Sequence, residues 1–391
     1  MSALWARVVA GYLAVAALLT AVVAFAGRWR HAPDVNPVLQ GPSWLDGWFH
    51  YDAGWYLRIA GQGYFYTPGE QSSVAFFPVY PLGIRGLGNL LGDDQLAGWL
   101  ITVAAGLGVA VLFAWWVSQR LPQRSASFAV LALLVYPYAF FLYGAVYADA
   151  LFVLCSIGAF LLLERRWYLA AGLVGALATA GRPVGIAVAV GLVVRALELL
   201  ATDRAGTPGR PAPLREVVRS VRDVRLRHTG VLVCVVGLGL WCWYLWSRFG
   251  DPLAFVHVES APGWDQGVGP HTWFKLAYVE TFTSGHWQTG LLLTVQAVAC
   301  VVAVLLLPRV WRLFGWGYLA FAAVVLAIPI VGTDDFMGTG RYVLAAFPVV
   351  AAAGDLLAQL RRPWLRWVLV VGSAGLLVAL TLLFGASYEV S

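Results

Sequence analysis

Apolar runs too long and too frequent for the buried helices of a soluble core recur along the whole chain, broken by short polar stretches. Crossing a hydrocarbon layer of roughly 30 Å takes about 20 residues of helix, and an open sheet cannot cross it because its edges leave backbone groups unpaired. The pattern therefore predicts an all-α, polytopic transmembrane protein of about 11 spans: residues 8–26, 96–117, 128–143, 148–163, 168–180, 184–200, 230–246, 290–307, 314–331, 342–357 and 367–384. The third to sixth are short. Pro137, Pro183 and the brief connections there permit kinked, tilted or half-spanning helices. Ala24-Phe25-Ala26 resembles a signal-peptidase site, but the first apolar run is longer than a usual signal core and reads as a retained helix.

Composition agrees with this class. Hydrophobic residues make up 60% of the chain, charged residues 12%, and the mean hydropathy is +0.75, whereas an ordinary soluble protein is about a quarter charged. A cytoplasmic N-terminus places 18 of the 26 basic residues inside and leaves Arg28, Arg30, Arg58, Arg85, Arg182, Arg248, Lys275 and Arg341 outside. Ser391 then lies outside. So do Asp34, Asp46, Asp52, Glu70, Asp149, Glu259, Asp265, Asp334 and Asp335, and since acids do not set topology, their gathering needs a separate cause. The net charge of +6 follows from the basic inner side, and no nucleic-acid partner is expected. One lysine against 25 arginines, with abundant Ala, Gly and Val, points to a GC-rich genome and a bacterial cell membrane.

Seven arginines and Pro208, Pro211 and Pro213 fall within residues 202–229, which read as a solvated cytoplasmic linker. It divides an N-terminal membrane module, 1–201, with its outer loop 27–95, from a C-terminal one, 230–391, with outer loops 247–289 and 332–341. Cys155, Cys234, Cys242 and Cys300 fall inside predicted spans without metal-ligand spacing, so they read as packing residues rather than disulfides or a zinc site. The histidines are too irregularly spaced for a metal cluster, and no metal or other cofactor is expected.

The first outer loop carries the densest chemistry. Trp44, Trp48, Tyr51, Trp55, Tyr56, Tyr64, Tyr66, Phe76, Phe77 and Tyr80 exceed what one interfacial belt requires, and could form a groove for a sugar face or an isoprenoid tail. Residues 52–61 are compatible with an amphipathic helix on the bilayer surface presenting Asp52. Asp52 is either a general base or the cap of that helix. Asp149, just after Tyr147, either orients a substrate or caps a helix. Arg182, between two apolar spans, needs an anion, which a lipid phosphate or Asp149 would supply. Arg341 follows Gly338-Thr339-Gly340 at the start of a helix, as a phosphate ligand or an interfacial anchor.

The run YDAGWYLRIAGQGY (51–64), then AFFPVYPL (75–82), YGAVYADALF (143–152) and GRPVG (181–185), together resemble the PIG-V family, the second mannosyltransferase of GPI-anchor assembly and its prokaryotic relatives, within the GT-C class. GTGRYVLAAFP (338–348) is similar to the family as well. Tyr51 stands where the family usually has Trp, and Asp149 where Glu is common; both retain the chemistry.

The resemblance implies a GT-C-like fold and transfer of mannose or a related sugar from a polyprenyl-phosphate donor on the extracytoplasmic face. The acceptor would be a glycolipid, glycan or protein, since a bacterium does not make GPI. It implies Asp52 as general base in an inverting displacement, with Arg182, Arg341, Arg58 and His257 for the donor phosphate and Asp149, Tyr147, Trp55 and Tyr56 orienting substrate. The alternative from another class is a transporter or flippase of a lipid-linked sugar, with Arg182, Asp149 and Arg341 lining a pathway. Against it, the halves carry no inverted repeat and the first loop is larger than transport requires.

Overall fold

The structure, a computed structural model, describes residues 2–29, 41–205, 211–267 and 269–390. Arg30 and Asp34 of the first outer loop, and Pro208 of the linker, lie outside the described residues. Helices are the only regular elements described. In chain order they are α1 (Ser2–Trp29), α2 (Asp52–Gln62), α3 (Val79–Leu91), α4 (Asp94–Ser118), α5 (Gln123–Leu134), α6 (Phe140–Tyr143), α7 (Asp149–Glu164), α8 (Tyr168–Thr179), α9 (Ile186–Ala205) and α10 (Leu214–Arg219). They continue with α11 (Val235–Phe249), α12 (Ala254–His257), α13 (Pro270–Trp273), α14 (Leu276–Thr283), α15 (Trp287–Phe314), α16 (Trp316–Gly332), α17 (Thr339–Ala345), α18 (Phe347–Gln359) and α19 (Pro363–Gly385).

Six helical stretches are long and apolar enough to cross a bilayer: α1, α4, α9 with the turn before it, α11 continued back to Leu226, α15 and α19; α17 with α18 makes a seventh if a pair bent by 81° counts as one broken span. The eleven expected apolar runs do not all appear as single helices of that length, because hydropathy registers apolarity, not continuity. Residues 128–143 split into α5 and α6 around Pro137, which offers no N–H to a helix. α8 has 12 residues, about 18 Å of rise, short of the hydrocarbon thickness. These short apolar helices face protein: α7 packs on α4 and α8, α18 on α5, and α16 on α9.

An ionic cluster pins one end of α7. Arg195 donates to Glu164 through Nε (2.8 Å) and Nη2 (3.1 Å) and to Glu198 through Nη1 (2.7 Å), while Tyr318 Oη donates to Glu164 at 3.0 Å. Glu198 also accepts the backbone N–H of Trp316 at 2.9 Å and of Gly317 at 3.3 Å, so it caps α16. Gly317 is required there, because a Cβ would lie 2.3 Å from Arg195 Cβ. Beside this end the basic segment folds onto α9, with Ser220 Oγ donating to Leu197 O at 2.7 Å and Trp316 Nε1 to Ala212 O at 2.9 Å. The other end of α7 begins with Asp149, about 22 Å of helical rise away, under the first loop.

Within that loop α2 is held at both ends. Arg85 Nη2 donates to Ile59 O at 2.8 Å, satisfying a carbonyl of the last turn. Many of the loop rings form core rather than a groove: Trp48, Phe77 and Tyr80 are almost fully buried, and Tyr56 meets Tyr80 edge-on at 5.0 Å.

Candidate active site at the head of α2

Tyr51 enters α2 with φ 56° and ψ −116°, a left-handed conformation that an L residue adopts only under constraint. Tyr147 supplies part of it. Its Oη accepts the Asp52 N–H at 3.3 Å and donates to His50 O at 3.3 Å, bracketing the strained turn from a ring only 1% exposed. Asp52 is the first residue of α2, where a negative charge suits the helix dipole. Its carboxylate is not spent on capping: Oδ2 accepts from Arg341 Nη1 at 2.8 Å.

Arg341 lies on α17, and the guanidinium carbon stands 5.3 Å from the Tyr147 ring centroid. Gly340 beside it cannot carry a side chain, since a Cβ would meet the Tyr138 ring at 2.5 Å, while Tyr136 Oη donates to Gly340 O at 3.0 Å. The short helix thus presses its guanidinium toward the first loop. Arg341 Nε is buried without a hydrogen-bond partner among the described residues.

Beneath this pair lies a second. Arg182, 6% exposed, donates to Asp149, 1% exposed, and its guanidinium stands 4.9 Å from the Tyr342 ring centroid. Of the two partners the sequence leaves open for Arg182, Asp149 is the one it engages. Two carboxylates and two guanidiniums from four segments therefore meet around Tyr56 and Tyr147.

The remaining candidates divide. Tyr56 is buried against Phe76 (5.2 Å) and Tyr147 (6.4 Å), next to the cluster. Trp55 points the other way, stacked on Phe76 at 5.6 Å and capped edge-on by Trp264 at 5.7 Å. Arg58 lies 4.4 Å over the Phe65 ring, also on the outer side of α2. His257 Nδ1 is 2.7 Å from Asp251 Oδ2, which also accepts from Tyr66 Oη at 3.2 Å, so its partner is an acid rather than either arginine of the cluster.

Glu259 was named only as an outer acid, yet it belongs here. Burial and the neighbouring Asp52 charge push its carboxyl up to about 7, opposed by Arg341. No motif flags it, because the groups that set its environment, Asp52 and Arg341, come from distant parts of the chain. Among the described residues no group of three or more His, Cys, Asp or Glu is arranged to hold a metal.

No family model matches this chain, and no curated protein matches it. Solved structures do. ArnT from Cupriavidus metallidurans bound to undecaprenyl phosphate superposes with a TM-score of 0.51 at 16% identity, covering 92% of this chain and 62% of that one. The apo Archaeoglobus fulgidus oligosaccharyltransferase gives 0.47 at 13% identity, covering 97% and 56%. The chain thus spans about three-fifths of the length of these proteins. Its fold is that of the GT-C polytopic membrane glycosyltransferases.

Proposed function

We propose that this protein is a glycosyltransferase that moves mannose or a related sugar from a polyprenyl-phosphate donor to a glycolipid, glycan or protein acceptor on the extracytoplasmic face of a bacterial cell membrane. The observation that carries the reading is the Asp52–Arg341 pair: a carboxylate at the head of a surface helix, held by a guanidinium that keeps an unsatisfied buried N–H. The ArnT likeness supports it, because that protein was solved with undecaprenyl phosphate. So does the order of the PIG-V-like motifs, which supply Asp52, Asp149, Arg182 and Arg341 to one place.

The residues divide the reaction between them. The acceptor hydroxyl oxygen attacks the anomeric carbon while its proton passes to Asp52. The bond from that carbon to the phosphate oxygen breaks, the electron pair leaves with the phosphate, and Arg341 neutralises the charge that develops. Donor phosphate draws Arg341 away from Asp52, so the base is released when the leaving group is in place. Arg182 adds positive potential behind Arg341 while Asp149 keeps it compensated. One displacement by one base inverts the anomeric centre.

The test is turnover. Purified full-length protein in liposomes receives polyprenyl-phosphate-mannose and candidate acceptors; mass spectrometry looks for the mannoside product, and NMR reads its anomeric configuration. Wild type yields it and Asp52→Asn does not. Passage of the lipid-linked sugar across the bilayer with no transfer, in wild type and Asp52→Asn alike, would establish the transporter instead.

A further inference from the structure

α2 has two faces. Ala53, Tyr56, Ile59 and Ala60 turn into the protein, whereas Tyr51, Trp55, Arg58 and Gln62, at helical spacing on the other side, line an open cavity of about 1070 Å³. Its far wall is the last turn of α3, with Asn89, and the first turn of α4, with Asp93 and Asp94. A helix resting on lipid would turn only apolar side chains outward, yet this face mixes Tyr51, Trp55 and Leu57 with Gly54, Arg58, Gly61 and Gln62, and Gly61 has nothing within 4 Å of where a Cβ would stand. The cavity lining is polar and apolar in about equal measure, and its size is at the upper end of small-molecule pockets, about 300–1,000 Å³.

Its charges choose the ligand. Arg58 has no carboxylate partner among the described residues and rests on Phe65, while Asp93 and Asp94 bring two negative charges to the opposite wall. Arg85, bonded to the Ile59 and Ala60 carbonyls, adds a second cation in the field of Asp94, so the walls are near charge balance and give a phosphate no net attraction, whereas Arg341 offers it a guanidinium elsewhere. A neutral polyhydroxylated ligand needs no net charge: Arg58, Asn89, Gln62 and Asp94 offer donors and acceptors for hydroxyls, and Tyr51 offers an exposed ring to an apolar sugar face. Tyr51, at one end of the cavity, immediately precedes Asp52, the first residue of α2.

We propose that this cavity is the acceptor subsite and that it takes an uncharged oligosaccharide head of a few sugar units, whose reacting end passes round the Tyr51 end of α2 to meet Asp52 and the donor. The proposal rests on the glycosyltransferase reading for its role, but not for its ligand. Binding is therefore tested without turnover: tryptophan fluorescence of the full-length protein in nanodiscs is titrated with neutral mannotriose and, separately, with polyprenyl phosphate. Wild type binds both. Arg58→Ala and the cavity-filling Gly61→Phe each weaken mannotriose about tenfold or more, the scale of one lost charged hydrogen bond, and leave polyprenyl phosphate unchanged. Arg341→Ala does the reverse.

No mannotriose binding in wild type, equal binding in all variants, or displacement of mannotriose by polyprenyl phosphate would overturn the subsite. Mannotriose binding with the expected variant pattern but no transfer in liposomes would sustain the subsite and sink the transferase. Transfer with an acceptor KM that neither Arg58→Ala nor Gly61→Phe moves would do the opposite.

Discussion

Arg341 Nη1 reaches Asp52 Oδ2 at 2.8 Å across 289 positions of sequence, so the last third of the chain completes a site begun in its first loop. The pair is partly exposed, with side chains 17% and 29% accessible, whereas Arg182 and Asp149 below it are sealed at 7% and 2%. Exchange is open to the upper pair. The lower pair, closed to water, has no partner to exchange with at the same cost.

Asp52→Asn is expected to lower the transfer rate by roughly 10²–10⁴-fold, the usual worth of a general base, because the amide keeps the shape and cannot take a proton. Donor affinity holds or improves, since Arg341 loses its anionic competitor. Arg341→Ala moves the other quantity, weakening donor binding. Steady-state kinetics with both variants checks the split, and wild-type turnover in folded Asp52→Asn would reduce Asp52 to a helix-entry residue.

Arg182→Ala leaves Asp149 buried and uncompensated, which costs about 3–5 kcal/mol, whereas replacing both by apolar residues costs much less than the two single changes combined. Thermal unfolding in detergent of the two singles and the double measures this. Single variants that unfold like wild type but bind donor poorly would return Arg182 to the phosphate.

What the sequence makes legible here is local. The first-loop helix, the place of Asp52 at its head and the long spans α1, α4, α15 and α19 follow from patterns a dozen or two residues long. The break at Ala346 escapes it, since apolar residues continue across the 81° bend and hydropathy is blind to direction. Glu259 escapes too, because its environment is made by Asp52 and Arg341 from other parts of the chain. The division of α2 into a cluster face and a cavity face was implicit in its spacing. Without α3 and α4 in place, nothing marks Trp55 and Arg58 as belonging to one side and Tyr56 to the other.

The arginine asymmetry predicts opposite membrane faces for the site and the linker, in keeping with the two ionic clusters at opposite ends of α7. In a cysteine-free background, Asp265→Cys, on an exposed turn, should react with an impermeant thiol reagent applied outside intact cells, and Arg215→Cys only after the membrane is opened. The reverse labelling would place the site in the cytoplasm and remove the basis for an outer-leaflet donor.

Glu259 makes the site sensitive to pH near neutrality. Its carboxyl is raised to about 7, so below that pH it is mostly protonated and neutral, and above it a second negative charge stands near Asp52 and competes with a phosphate for Arg341. Donor KM should therefore rise as pH climbs through about 7, with a smaller change in kcat, because the added charge opposes binding more than proton transfer. Glu259→Gln holds the neutral form at every pH and should flatten that rise while keeping the low-pH KM. Donor KM measured from pH 6 to 8.5 on both proteins decides it: the same slope in Glu259→Gln as in wild type would mean that the titrating group lies elsewhere and that Glu259 only packs against α2.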